Sequence, residues 1–79
     1  MAATNFLQLS ELAEDLALAY RHVTEGRRIL DRQRDVIAKK KAAGLDGEIS
    51  EQLLAQFEIS QRLFEQHLAI MLREATDRR

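Results

Sequence analysis

On either side of a single glycine-marked break, core-type positions recur at alternating steps of four and three. Before the break they are Leu12, Leu16, Ala19, Val23, Gly26, Leu30, Gln33 and Ile37, and after it Leu54, Phe57, Gln61, Phe64, Leu68, Met71 and Ala75. A mean repeat of 3.5 draws one continuous stripe down an α-helix and scatters over both faces of a strand. Two long helices with coiled-coil-like seams are therefore predicted. The break itself reads Ala43-Gly-Leu-Asp-Gly-Glu48, in a chain without proline. Gly44 suits the left-handed position that ends a helix, Leu45 can fold back as the accompanying apolar contact, and Asp46 can cap the next helix. A turn this short makes the helices antiparallel neighbours. Asn5, with Gln8 three residues on, offers a capping box, and Ser10 is a later candidate start. The expected organisation is one domain over residues 1–79: helix one from about 5 or 10 to 43, a turn at 44–47, and helix two from about 47 to 76. At about 1.5 Å per residue these are rods of roughly 50 and 45 Å.

Register divides what the seam leaves over into two unlike flanks. With Leu16, Val23, Leu30 and Ile37 at heptad position a, Arg27, Arg34 and Lys41 fall at e, while helix two carries Glu51, Glu58 and Glu65 at e. Antiparallel packing brings e against e. Folding about the turn pairs Lys41 with Glu51, Arg34 with Glu58 and Arg27 with Glu65, three complementary pairs equidistant from one midpoint. Exposed pairs of this kind contribute only about 0.2 to 1 kcal/mol each, so the ladder selects register more than it stabilises. The g flank carries His22, Ile29, Val36 and Ala43 on helix one, with Leu53, Ser60 and His67 on helix two. Two helices alone cannot cover this largely apolar flank. Phe6, Leu7, Leu9 and Leu12 are also expected to project beyond the end of helix two. A second copy meets both needs: two hairpins paired into a four-helix bundle homodimer, with an interface of Phe6, Leu9, Leu12, His22, Ile29, Val36, Leu53, Ser60 and His67.

Composition narrows the function classes. Seventy-nine residues, 46% hydrophobic and 32% charged, lie near the lower limit for an independent core. There is no cysteine to add disulfides or thiolate metal sites, which fits a reducing compartment and makes a cytoplasmic location the default expectation. The opening residues lack the basic start of a signal peptide, and no apolar run approaches the roughly 20 residues of a membrane span. A net charge of −1 gives no bulk drive towards nucleic acid or anionic lipid.

Local chemistry has plain readings alongside sharper ones. His22 and His67 fall opposite one another on the g flank, and a dimer could gather four imidazoles near Glu25 as ligands for zinc or another transition metal. The plainer reading is two half-buried interface residues, and neither Glu-x-x-His pairs on facing helices nor His-Glu-x-x-His occurs. Ser10, Ser50 and Ser60 lack a glycine-rich elbow, and a two-helix rod has no cleft to hold a base and an oxyanion hole. No enzyme activity and no cofactor are expected. Residues 27–41 contain seven basic residues against two acidic ones, so Arg28, Arg32 and Lys39 to Lys41 could form a phosphate-binding stripe of a nucleic-acid-associated regulator. The plainer reading is a solvated face, since three of the seven belong to the glutamate ladder and Lys39 to Lys41 sit where the helix dipole favours cations. Gly26 costs about 1 kcal/mol relative to alanine in mid-helix. Close packing near Phe64 and Glu65, or a hinge, would account for it. Gln33 and Gln61 stand at seam positions, where polar residues fix register or oligomeric state.

The run His22-Val-x-x-Gly26-x-x-Ile29-x-x-x-Gln33-x-x-x-Ile37, followed by Gly44-x-Asp46, Leu53-Leu54-x-x-Phe57 and His67-Leu68, resembles a group of small uncharacterised helical-hairpin proteins of alphaproteobacteria, rhizobial relatives above all. The resemblance spans roughly residues 22–72. It departs in a longer N-terminal segment and in Phe64, which is polar in some members. It implies bacterial origin and hairpin architecture, and carries no site across. Taken together, the residues predict a non-enzymatic helical protein-protein interaction module of the regulatory or adaptor kind.

Overall fold

The computed structural model describes residues 2–77, and side chains over 7–77. It is all-helical: α1 spans Ala2–Ala42 and α2 spans Glu48–Asp77, packed antiparallel in a rod of 65 × 15 × 15 Å. The hairpin is as expected, but α1 begins before either predicted start. Nothing between Ala2 and Glu25 breaks a helix, and Ala, Leu, Gln and Glu dominate the stretch, so propensity carries the helix through Asn5 and Ser10. The side chain of Asn5, and with it the capping box, lies outside the described residues.

The turn follows from its glycines. Gly44 adopts φ 73°, the left-handed conformation that costs glycine least. The Leu45 amide donates to the Lys40 carbonyl (2.9 Å) and the Gly44 amide to the Lys41 carbonyl (3.0 Å). These are the two bonds of a Schellman stop, and they satisfy carbonyls that the helix end leaves open. Asp46 Oδ1 then accepts the Glu48 amide at 3.0 Å, capping α2. Leu45 departs from expectation. It is 61% exposed, so most of the side chain stays in solvent, while Lys40 Nζ reaches across the seam to donate to Ser50 Oγ at 2.7 Å.

The interior is one stripe. Ala19, Val23, Leu30, Ile37 and Met71 are buried, joined by two polar residues, Ser50 and Gln61. Leu12, Leu16, Gln33, Leu54, Phe57 and Leu68 are half-buried. Both seam glutamines reach across to the opposing backbone. Gln61 Nε2 donates to the Val23 carbonyl at 2.9 Å, and Gln33 Nε2 to the Ser50 carbonyl at 2.8 Å. Gly26 makes the first of these possible. A Cβ there would overlap Gln61 Oε1 and stand 2.8 Å from Cδ, so the large residue facing Gly26 is Gln61, not Phe64 or Glu65. The glycine vacates the volume that the amide fills.

Alanine at position 26 therefore gains helix propensity and loses the amide's seat. Gly26→Ala is expected to lower stability by about 1 kcal/mol, the lost buried hydrogen bond and crowding outweighing a propensity gain of similar size. In a Gln61→Ala background the same substitution should raise stability by about 1 kcal/mol. Thermal denaturation of the four members of this cycle measures the coupling.

Candidate interaction surface

The e flank is closed by ion pairs. Arg27 lies 3.4 Å from Glu65, Arg34 3.6 Å from Glu58 and Lys41 3.0 Å from Glu51, the three pairs that the register requires. All six side chains keep substantial contact with solvent, so their contribution is small and screened by salt. Arg34→Glu should cost about 1 kcal/mol at low salt through loss of its pairs with Glu58 and Asp31 and gain of repulsion in their place, with Glu58→Arg restoring the cross-helix part. Melts repeated in 1 M salt should show the difference largely gone.

No such ladder closes the g flank. Ile29 is 45% and Leu53 46% exposed, and Val36 is also exposed. Ser60 and both histidines are exposed on the same side. His22 packs its ring on Phe64, centroids 5.2 Å apart and planes tilted by 36°. His22 and His67 line one shallow depression with Leu12, Asp15, Met71 and Glu74, so the histidines do come together within a hairpin. Among the described residues, no group of three or more histidine, cysteine or acidic side chains is placed to hold a metal ion.

The apolar surface is wider than the g positions alone. On helix two it continues into the neighbouring c positions, where Ile49 is 74% exposed and Leu63 and Ile70 also face solvent. Between Ile49 and Ile70 the c and g positions are Ile49, Leu53, Gln56, Ser60, Leu63, His67 and Ile70, without one Asp, Glu, Lys or Arg. A repeat read only at a, d, e and g passes over this face; the signal for it was the second apolar heptad Ile49, Leu63, Ile70. At the open end of the hairpin, Leu7 and Leu9 are exposed. Leu12 is half-buried beside Met71 and Glu74, because helix two reaches further than counting from the turn suggests. The side chain of Phe6 lies outside the described residues.

The basic stretch is largely occupied. Besides the ladder, Lys39 lies 3.3 Å from Asp35, Asp31 lies 3.6 Å from Arg34, and Lys40 turns into the seam to Ser50. Arg28 and Arg32 are what remains, with Asp31 and Asp35 beside them on the same face. No helix among the described residues is long and apolar enough to cross a membrane. The chain matches no family model, no curated protein and no solved structure.

Proposed function

We propose that this chain is a non-enzymatic helical interaction module that works as a homodimer, two hairpins closing their g flanks on each other as a coiled-coil-like four-helix bundle. A small regulatory or adaptor protein of the cytoplasm is the role that fits such a module. The observation that carries this reading is the exposed area. The hairpin exposes 6423 Å², whereas a compact monomer of 9.1 kDa exposes about 4,900 Å² by the scaling of surface with mass. The excess, about 1,500 Å², is more than the roughly 800 Å² that each partner contributes to a standard interface, and Ile29, Val36, Leu53, Leu63 and Ile70 are among the large apolar side chains left in solvent. Chains of this length also gain stability from oligomerisation where one core is too small. Ion pairing of the basic stretch with Asp31, Asp35 and the glutamates favours the protein partner over nucleic acid, since those cations are already neutralised.

Light scattering at micromolar concentration should return twice the chain mass. Leu53→Glu, which places a charge at an exposed position of the hairpin but within the proposed interface, should leave helicity intact and weaken dimerisation at least about tenfold. A wild-type monomer at that concentration would remove the homodimer from this reading.

A further inference from the structure

Two hairpins can close their g flanks with turns at the same end or at opposite ends, and the charges on the flank distinguish the two. Helix one carries Glu11, Asp15 and Glu25 along the c and g rim towards its open end, and Arg32 and Lys39 along the c rim towards the turn. Helix two carries no charge at c or g from Ile49 to Ile70. With turns together, a two-fold axis along the rods lays helix one on the partner's helix two, and both halves of the charged rim face an uncharged stripe. With turns apart, the axis crosses the rods, and each helix lies antiparallel on its own copy.

We propose that the second copy docks with its turn at the opposite end, about a two-fold axis passing beside Ser60; this rests on the homodimer reading above. Antiparallel helices meeting at g set g against g and c against c. On helix two an axis at Ser60 brings Leu53 to the partner's His67, Ile49 to the partner's Ile70 and Gln56 to the partner's Leu63, an apolar and amide interface without charge from Ile49 to Ile70, with Glu74 level with the partner's Asp46 beyond each end of it. The stacking of His22 on Phe64 and the seating of Gln61 on Gly26 place Ser60 level with about residues 26 and 27, counting along antiparallel helices. The same axis therefore turns helix one over on itself there. Arg32 then comes within side-chain reach of the partner's Glu25, and Lys39, on leaving its exposed pair with Asp35, within reach of the partner's Asp15 and the partner's Glu11. One axis, fixed by the helix-two pattern, thus also sets acid over base on helix one.

The arrangement accounts for two further features. Leu9, exposed beyond the end of helix two, comes level with the partner's Leu45, and both are 61% exposed in the single hairpin. The overhang of one copy and the bare leucine of the other's turn cover each other. The His67 residues of the two copies stand seven residues to either side of the axis, about 20 Å apart, so this docking does not assemble four imidazoles.

Because the chain has no cysteine, single cysteines report the docking directly. Ser60→Cys, checked for unchanged helicity, should oxidise to a disulfide-linked dimer in high yield. Spin labels on Ala42→Cys, on the outer face beside the turn, should lie about 45 Å apart, from about 15 residues at about 1.5 Å each side of the axis. Glu25→Lys should weaken dimerisation several-fold, and Arg32→Glu in the same chain should restore it. A dimer whose Ala42 labels lie within about 25 Å, or whose Ser60→Cys variant does not cross-link, overturns the docking and leaves the homodimer standing. A monomer by light scattering overturns both.

Discussion

A helix packed against one other helix can bury only the stripe that faces it, and every other property of this chain is a response to that limit. The described residues include no fully buried large side chain. The hydrophobic effect scales with area removed from water, and here the area is one line of side chains per helix. A stripe of Val, Leu, Ile and Met also discriminates weakly between registers, since a slide by one heptad sets similar residues side by side. Specificity has to come from groups whose misplacement is expensive.

Those groups are polar and lie in two layers of unlike strength. Gln61 is 5% exposed, and its amide is held by the Val23 carbonyl over the gap left by Gly26. Gln61 Oε1 is buried without a partner among the described residues even in this register; sliding the helices by a heptad would add the loss of the Nε2 bond and set the amide against a side chain in place of the glycine. Gln33 to the Ser50 carbonyl repeats the device near the turn. The exposed Arg–Glu and Lys–Glu pairs add a longer-ranged and weaker preference of the same register. Gly26 is then no hinge: its cost in helix propensity is offset by an interaction on the opposite helix.

The hairpin, its turn and the ion-pair ladder were legible in the sequence because each depends on spacing alone. A 3.5 repeat, a glycine followed by an aspartate cap, and charges equidistant from the turn need no knowledge of side-chain volume. The partner of Gly26 was not legible. Register placed it near Phe64 and Glu65, and which side chain enters the gap depends on rotamers and on the reach of an amide towards the Val23 carbonyl. Leu45 was misjudged for a related reason. The Schellman stop specifies its backbone bonds, but burial of the following leucine requires free apolar surface beside it, which backbone spacing alone does not specify. The start of helix one depends on the absence of a breaker, against which a plausible cap at Asn5 or Ser10 carries little weight.

The open surface of this hairpin is broader than an isolated antiparallel pair needs. An isolated antiparallel pair needs apolar residues at a and d only, and gains solubility from charges everywhere else. Helix two instead keeps Ile49, Leu53, Leu63 and Ile70 in solvent, an arc next to its seam and about as wide as the one it uses. Adjacent arcs of that kind are what a helix in a four-helix bundle presents, one to its hairpin neighbour and one across the layer. Helix one has Leu18, Ile29 and Val36 exposed on the equivalent flank, with charges close beside them. In the proposed dimer the two helices take different tasks: helix two supplies most of the apolar area, and helix one, with acid at one end and base at the other, supplies the direction.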